Sequence, residues 1–252
     1  MRILNVLIAC EESQTICKAF RDLGHNAFSC DLQEPSGDLP QYHILGDVTP
    51  LLEGSKDFTT MNGESHHIDK WDLIICHPEC TYLTVSGNRW FNIERYGDKA
   101  RERYKKREEA ADFFMKCVNA NCEHIAIENP IGYMNTHYRK ADQVIEPYQF
   151  GHKVCKKTCL WLKNLPLLVP TNIVEPERVK CADGKWYSGP ALHAVDENGK
   201  ILAYNDPRTA KIRSKTYEGI AKAIASQWSE YLLTGDNTAA SEAAKHGQKR
   251  LF

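Results

Sequence analysis

The sequence predicts an α/β fold with a doubly wound, mostly parallel sheet, and three features of the chain support this prediction. Short apolar runs alternate with helical patterns through the first half of the sequence. The apolar runs are nearly continuous, as in central strands that are covered on both faces. Polar side chains follow the ends of these runs, which is where ligands bind in such sheets. A length of 252 residues with 42% hydrophobic residues fits one domain with a sizeable core.

The first half of the chain contains the regular part of the predicted pattern. Residues 3–9 form an apolar run that predicts the first strand, and Gly24 ends the helix that follows it. Further strands are predicted over residues 26–30, 43–45, 71–76 and 124–127, with a helical stripe over 110–118. Residues 53–69 are polar and predict a surface loop or insertion.

The second half of the chain is less regular. A strand is predicted over 158–162, and an apolar stripe between Tyr217 and Leu232 predicts a long amphipathic helix with Ser214 as its cap. The predicted organisation is a single domain over 1–235, a short insertion within it over 170–207, and a disordered polar tail over 236–252.

Charge and cysteine content limit the classes of function. Lys and Arg total 32 against 33 Asp and Glu, a net charge of −1, so any contact with a polyanion must come from a local basic patch. No apolar run reaches the roughly 18 residues of a membrane span, and the acidic pair Glu11-Glu12 makes the N-terminus a poor secretory signal. The 10 cysteines are therefore interpreted as reduced thiols, metal ligands or a catalytic residue in an intracellular enzyme with no membrane partner.

Four chemically capable side chains follow four predicted strand ends: Asp31, Asp47, Cys80 and Glu128. Because the carboxyl ends of parallel strands meet at one edge of a sheet, we expect these side chains to lie around one site.

The first of these ends resembles a nucleotide-type cofactor site. Asp31 lies about twenty residues after the first strand-to-helix turn, where an acidic side chain accepts hydrogen bonds from ribose hydroxyls. The turn itself, residues 10–14, has two acidic residues and no glycine, which disfavours a pyrophosphate and favours an adenosyl ligand that carries an ammonium group. The alternative is that Asp31 is a solvated turn residue.

Cys80 and Glu128 are the candidates for covalent and acid–base chemistry. Cys80 follows a strand in a proline-containing turn, where a thiolate assisted by His77 or a helix terminus could attack an electrophilic carbon. A partly dry pocket would keep Glu128 protonated, so that it donates to a ring nitrogen. The alternatives are a small buried hydrophobic residue at Cys80 and a strand-end turn at Glu128-Asn129-Pro130.

A further set of segments carries a resemblance that extends from about Ile3 to Trp228. The matching segments are 6–13, Asp31, 46–48, 72–80, 127–130, 150–158 and 217–224. Together they resemble the DNA (cytosine carbon-5) methyltransferase family, in particular its short members from phages and prophages. The resemblance implies the class I S-adenosylmethionine-dependent methyltransferase fold, which is Rossmann-like, and a location in the cytoplasm of a bacterial host.

The resemblance also implies roles for individual residues. S-adenosylmethionine would lie over the first turn, with its ribose held by Asp31 and its adenine by Asp47. The implied cofactor-binding residues are Cys10, Glu11, Glu12, Ser13, Asp31, Asp47, His77 and Pro78. Cys80 would add to carbon-6 of a cytosine flipped out of the DNA duplex while Glu128 contacts N3. Carbon-5 then takes the methyl group, and β-elimination frees the cysteine.

Three features of the chain depart from the family pattern. The glycine-rich first motif is replaced by residues 10–14, and Glu79 separates Pro78 from Cys80, where an anion would raise the pKa of the thiol. The two arginines of a later basic motif are represented by Lys156 and Thr158.

Nucleic-acid contacts are predicted on both sides of the catalytic residues. The implied contact residues are Arg89, Trp90, Lys153, Lys156, Lys157 and Thr158. The basic and aromatic segment from Arg89 to Arg107 suits phosphate neutralisation and base stacking. Acidic residues interleave with it, so an ion-paired helix face is an equal alternative. The insertion at 170–207 is short for a recognition domain, which predicts relaxed sequence readout or a substrate other than ordinary duplex.

Other hypotheses stay open. Cys155, Cys159, Cys181 and His193 have only loose zinc-type spacing, so we predict no metal. The chain is expected to be a monomer or a weak homodimer. The rival functions are an RNA cytosine methyltransferase, an amino-methyltransferase whose strand-end loop needs no cysteine, and a catalytically degenerate DNA-binding or decoy protein.

Overall fold

A computed structural model describes residues 2–180, 184, 186–190, 194, 196–197, 201–203 and 206–236. The described helices are α1 (Thr15–Asp22), α2 (Thr49–Leu52), α3 (Ile93–Tyr96), α4 (Asp98–Val118), α5 (Met134–His137), α6 (Pro207–Ser214) and α7 (Glu218–Thr234). The described strands are β1 (Asn5–Ala9), β2 (Asn26–Asp31), β3 (His43–Leu45), β4 (Asp57–Thr59), β5 (Ser65–His67), β6 (Leu73–Cys76), β7 (Ile125–Pro130), β8 (Gln143–Ile145), β9 (Thr158–Lys163), β10 (Val179–Lys180) and β11 (Trp186–Tyr187).

Seven strands form the main sheet in the order β3-β2-β1-β6-β7-β9-β8. The neighbours from β3 to β7 pair in parallel, while β9 runs antiparallel to both β7 and β8. A mostly parallel sheet in this order, with one reversed strand inserted beside the edge, is the sheet of the class I methyltransferase fold. The predicted fold class is therefore confirmed.

The central strand β1 is covered on both faces, which explains its apolar sequence. Leu7 and Ala9 are fully buried on the face that packs against α4. Val6 and Ile8 are fully buried on the other face, against α1 and α7. Because neither face meets water, the strand has a continuous apolar run instead of an alternating pattern.

Large aromatic side chains fix the helices on the sheet. Trp228 of α7 is fully buried, and its Nε1–H donates a hydrogen bond to the carbonyl of Pro166 at 3.0 Å. On the opposite face, the ring of Phe114 in α4 meets the ring of Trp161 in β9 edge-on, with centroids 5.1 Å apart. These contacts hold α4 and α7 on opposite sides of the strands whose ends carry the candidate site.

The predicted loop over residues 53–69 contains a β-hairpin formed by β4 and β5. The ring of Phe58 stacks on Trp71 with centroids 5.7 Å apart and meets Phe28 edge-on at 5.0 Å. One aromatic residue therefore ties the hairpin to the edge of the core. Its strands are only three residues long and mostly polar, so no periodic pattern indicates them.

The predicted helix cap at Ser214 is wrong. Ser214 is the last residue of α6, and its hydroxyl donates to the carbonyl of Lys211 at 2.9 Å. The next helix, α7, begins at Glu218 after Tyr217, whose side chain makes no capping hydrogen bond. Ser214 therefore belongs to an additional helix, α6, and does not cap α7.

The insertion over residues 170–207 is described only in part. Within it, β10 and β11 form a two-stranded antiparallel sheet. The tail from residue 237 onward lies outside the described residues, as do Cys181 and His193, so the expectations for them stay predictions. Across the described ranges, every helix is too short or too polar to cross a lipid bilayer.

Candidate active site

The candidate site lies at the carboxyl edge of the parallel strands. Cys10 follows β1, Asp31 ends β2, Asp47 follows β3, and Glu128 lies within β7. Burial raises the pKa of the Cys10 thiol well above its ordinary value, and the nearby charges of Asp31 and Asp47 raise it further. Cys10, Asp31 and Asp47, which come from three strand ends, are therefore close enough to interact.

The turn after β1 adopts left-handed backbone without glycine. Cys10 has a φ of 60° and Gln14 a φ of 56°, in the region that glycine occupies most easily. The amide N–H of Cys10 donates to the carbonyl of Cys30 at 2.7 Å and anchors the turn to β2. The chain thus takes a sharp strand-to-helix turn at the cost of strain at two non-glycine residues.

Gln14 stabilises the turn after β1, a role that the sequence pattern did not indicate. Its side chain is almost fully buried, and its amide nitrogen donates to the carbonyl of Leu39 at 2.8 Å and to the hydroxyl of Ser29 at 3.2 Å. The Ser29 hydroxyl also lies 2.8 Å from Nδ1 of the fully buried His43. These bonds connect the turn to β2 and β3, and so hold the left-handed residue in place.

The carboxylate of Glu11 is buried at the N-terminus of α1. Its two oxygens accept the backbone N–H groups of Ile16 at 2.6 Å and Cys17 at 3.1 Å, at the N-terminus of α1. Burial raises the pKa of Glu11 to about 7, although the charge of His77 and the helix amides act in the opposite direction. The Glu11 side chain thus has a structural role at this helix end, and its implied cofactor contact stays a prediction.

The neighbouring acidic and hydroxyl side chains of the turn are partly exposed. Glu12 pairs with Lys211 of α6 at 3.1 Å. The hydroxyl of Ser13 lies 3.0 Å from that of Thr15. These two residues border the open side of the turn, where a bound cofactor is predicted.

Asp31 and Asp47 are held by their own turns. Oδ1 of Asp31 accepts the N–H of Gln33 at 2.9 Å, and Oδ1 of Asp47 accepts the N–H of Thr49 at 2.9 Å. The hydrogen bonds from Thr49 lower the pKa of Asp47. Both turns fix the orientation of the carboxylates, and Oδ2 of Asp31 accepts no hydrogen bond from the described part of the chain.

The ends of β6 and β7 are joined by two side-chain hydrogen bonds. Nδ1 of His77 lies 3.0 Å from Oε2 of Glu128. The amide nitrogen of Asn129 donates to the carbonyl of Pro78 at 2.8 Å. Asn129 is 2% exposed, so this bond is shielded from water. The loop that carries Cys80 is therefore positioned by the Glu128-Asn129 pair on the next strand.

The surroundings of Glu128 favour its ionised form, whereas the sequence analysis expects a partly dry pocket that keeps it protonated. Burial raises the pKa of Glu128, but the hydrogen bond from His77, the charge of Lys156 and a hydrogen bond from Thr158 together bring it below its ordinary value. With Glu128 ionised, the proton of the hydrogen bond resides on Nδ1 of His77. Nε2 of His77 is buried and makes no hydrogen bond to any described residue.

Cys80 is a protonated thiol at the rim of the site. Surrounding protein raises the pKa of Cys80 although part of its surface is exposed, and the charge of Glu128 raises it further. Lys156 acts in the opposite direction, and the effect of Glu79 is the smallest of these. The sequence predicted correctly that Glu79 raises the pKa of Cys80, but burial and the charge of Glu128 raise it more. His77 pairs with Glu128, so its predicted role as the partner that ionises Cys80 is not supported.

The chain after Cys80 passes unusually close to the turn after β7. The carbonyl of Leu83 accepts the N–H of Tyr133 at 2.7 Å. A Cβ atom at Gly132 would lie 1.9 Å from the same oxygen, so only glycine fits there. The N–H groups of Leu83 and Thr84 donate to the carbonyl of Cys80, both at 3.0 Å, and complete a compact turn.

The basic segment on α4 serves mainly to hold this loop. Arg103 donates to the carbonyl of Thr81 at 2.7 Å, and Arg107 donates to the carbonyl of Tyr82 at 2.9 Å and to Asn88 at 2.8 Å. On the same helix, Arg101 pairs with Asp98. The ion pairing of the alternative interpretation is therefore observed at Arg101, whereas Arg103 and Arg107 bond to the loop after Cys80.

The other predicted nucleic-acid contacts divide into two groups. Lys156 and Thr158 lie near Glu128, since both act on its pKa. The exposed residues are Arg89, Trp90, Lys153 and Lys157. The first group belongs inside the candidate site, whereas the second lies on the surface.

A metal site is not assembled by the described residues. No group of three or more His, Cys, Asp or Glu side chains in that part of the chain could hold a metal ion. Cys159 is buried, with its sulfur near Asn135. Of the four residues with zinc-type spacing, Cys155 and Cys159 belong to no such group, and Cys181 and His193 lie outside the described residues.

A cavity of about 510 Å³ lies at the opposite edge of the sheet, at the amino ends of β6 and β7. Two of its basic side chains are already engaged: Arg2 pairs with Asp72, and Lys163 donates to the carbonyl of Cys122 at 2.9 Å. Ligands of parallel α/β sheets bind beyond the carboxyl ends of the strands, so the Cys80 edge is the stronger candidate.

Comparison with known proteins adds one distant structural likeness. No protein-family profile matches the chain, and no curated protein sequence matches it significantly. The solved structures that match include a candidate DNA modification methyltransferase encoded within a prophage of E. coli. The two chains are 13% identical with a TM-score of 0.39, over 68% of this chain and 52% of the other. The chain thus spans about half the length of that protein, and its fold assignment rests on the strand order alone.

Replacing Glu11 by Gln should change how stability depends on pH. The pKa of Glu11 is about 7 in the folded chain against an ordinary value of 4.5, so the folded state binds more protons between these values. The free energy of unfolding of the wild type, relative to Glu11→Gln, should therefore fall by up to about 3 kcal/mol as pH rises from about 5 to about 8. Urea unfolding across this range measures the difference. A difference that rises with pH would contradict the assignment.

Gly132→Ala should displace the Cys80 loop, because the new methyl group would overlap the Leu83 carbonyl. Overpacking of this kind costs about 1–3 kcal/mol in the free energy of unfolding. Gly189→Ala is a matched control, since its Cβ would have the Cys155 carbonyl as nearest neighbour at 3.7 Å. Equal stability of the two variants would mean that the loop does not pass over Gly132.

Proposed function

We propose that the chain is an S-adenosylmethionine-dependent methyltransferase that methylates cytosine at carbon-5 in DNA. The observation that carries the proposal is the pair of hydrogen bonds between His77 and Glu128 at 3.0 Å and from Asn129 to the carbonyl of Pro78 at 2.8 Å, which hold the loop with Cys80 beside the end of β7. The charge of Glu128 raises the pKa of the Cys80 thiol, so the two groups act on each other. The strand order of the methyltransferase fold supports methyl transfer as the reaction type.

The acceptor groups at the strand ends suit S-adenosylmethionine better than a dinucleotide. Glu11 already occupies the N-terminus of α1, the position that would otherwise attract a pyrophosphate. Asp31 and Asp47 offer oriented carboxylates for hydroxyl and amino groups. Asp31 would hold the ribose and Asp47 the adenine. When bound, the cofactor supplies an electrophilic methyl group.

Cys80 and Glu128 can exchange one proton during attack on the base. They begin as a thiol and a carboxylate. We infer that Glu128 accepts the proton while Sγ of Cys80 forms a bond to carbon-6 of the cytosine. Protonated Glu128 then donates to N3, where the displaced electrons would otherwise leave negative charge. One proton thus moves from Sγ to N3, and carbon-5 becomes nucleophilic.

Other residues of the site would support this exchange. The charge of Lys156 lowers the pKa of Cys80 and therefore favours the thiolate that attacks. His77 fixes the orientation of Glu128 through its 3.0 Å hydrogen bond. After methylation, carbon-5 loses its proton to water and the bond between Sγ and carbon-6 breaks. The proton on N3 returns through Glu128 to Sγ, which regenerates the Cys80 thiol and the Glu128 carboxylate.

A covalent trap tests the proposal directly. DNA that contains 5-fluorocytosine cannot lose the carbon-5 substituent as a proton, so an attacked base should remain bonded to the protein. We expect a cofactor-dependent adduct with the wild type, its complete loss in Cys80→Ala, and its retention in Cys122→Ala. Cys122 is a suitable control because it lies at the opposite edge of the sheet. Denaturing gel electrophoresis and peptide mass spectrometry detect the adduct.

The rival functions give different results in the same experiment. An amino-methyltransferase would retain activity in Cys80→Ala and form no adduct. An RNA cytosine methyltransferase would form the adduct with RNA and not with DNA. A degenerate binding protein would transfer no methyl group to either nucleic acid.

A further inference from the structure

An exposed aromatic and cationic patch lies at the far end of the loop that begins at Cys80. We define the Trp90 patch by Arg89, Trp90, Arg95 and Tyr96. The rings of Trp90 and Tyr96 are 5.1 Å apart at an angle of 46°. The guanidinium of Arg89 lies 4.7 Å from the Trp90 ring, and that of Arg95 lies 5.4 Å from the Tyr96 ring. Trp90 is 42% exposed.

The cations of the Trp90 patch remain available to a partner. The guanidinium groups of Arg89 and Arg95 form no ion pair or hydrogen bond with the described residues. Neighbouring cations differ, since Arg103 and Arg107 are bonded to the Cys80 loop. The segment 85–96 holds these two arginines against a single carboxylate, so its net charge is positive although that of the chain is −1.

The patch is held rigidly on α4 by the residue between its halves. Phe91 is buried, with the guanidinium of Arg107 3.4 Å from its ring centroid and the Tyr104 ring edge-on at 4.9 Å. The exposed position of Trp90 therefore belongs to an ordered structure. A partner that uses the patch would pay little conformational entropy on the protein side.

We propose that the Trp90 patch binds single-stranded DNA. An exposed indole face can stack on a base only when that base is not stacked within a duplex, and the two free guanidinium groups can contact the adjacent phosphates. This inference rests on the proposed function because it names the form of the substrate. Stacking interactions tolerate any base, which agrees with an insertion too short for extensive sequence readout.

Fluorescence anisotropy with a labelled oligonucleotide tests the patch without the methyl-transfer reaction. We expect the wild type to bind a single strand of about 15 nucleotides more tightly than the matching duplex at equal salt. Trp90→Ala should weaken single-strand binding by roughly ten-fold or more, and Arg89→Ala/Arg95→Ala should weaken it and reduce its salt dependence. Trp90→Phe should retain most of the affinity because it keeps an aromatic face.

Leu23→Ala is the control, since Leu23 is an exposed apolar residue at the end of α1, outside both the patch and the 170–207 insertion. Its affinity should equal that of the wild type. Preferential binding of duplex, or unchanged single-strand binding in Trp90→Ala, would overturn the proposal. Circular dichroism of each variant shows whether it is folded. If the wild type and Trp90→Ala methylate duplex DNA equally, the proposal for the Trp90 patch is refuted and the proposed function stands. If the wild type binds single strands but methylates no DNA, the proposed function is refuted and the proposal for the patch stands.

Discussion

The hydrogen bond between Nδ1 of His77 and Oε2 of Glu128 joins the loop after β6 to β7. Most of the candidate site depends on this connection and on the neighbouring bond from Asn129 to the Pro78 carbonyl. The two bonds place the Cys80 loop against the turn after β7, where Gly132 leaves room for the Leu83 carbonyl. The Glu128 carboxylate and the Cys80 thiol come from different segments of the chain. The two hydrogen bonds thereby hold both groups at the same edge of the sheet.

The electrostatics of the site result from competition between burial and nearby charge. Burial alone would raise the pKa of both Glu11 and Glu128, yet only Glu11 remains raised, because His77, Lys156 and Thr158 outweigh burial at Glu128. The buried Glu11 also supplies the anion that the N-terminus of α1 attracts. The chain therefore replaces a glycine-rich phosphate loop by an internal carboxylate, which favours a cofactor that is not an anion at this position.

The sequence was sufficient to predict the sheet because β1, β6 and β7 are covered on both faces and are therefore apolar throughout. It also predicted the strand ends that meet at the site, since parallel strands end at a common edge. It did not predict the ionised state of Glu128, which depends on charges from other strands. The role of Gln14 was missed because its partners, Ser29 and Leu39, lie 15 and 25 residues away. The bonds from Arg103 and Arg107 to the Cys80 loop were not predicted because their partners include backbone carbonyls, which leave no side-chain pattern.

Mass spectrometry of nucleosides tests the central claim most directly, because it identifies the base and the atom that carry the methyl group. DNA would be isolated from cells that lack their own cytosine carbon-5 methylation and express either the wild type or Cys80→Ala. The account predicts 5-methylcytosine with the wild type and background levels with the variant. Methylation on an exocyclic amino group, equal 5-methylcytosine in both strains, or no methylated base with folded wild-type protein would contradict it.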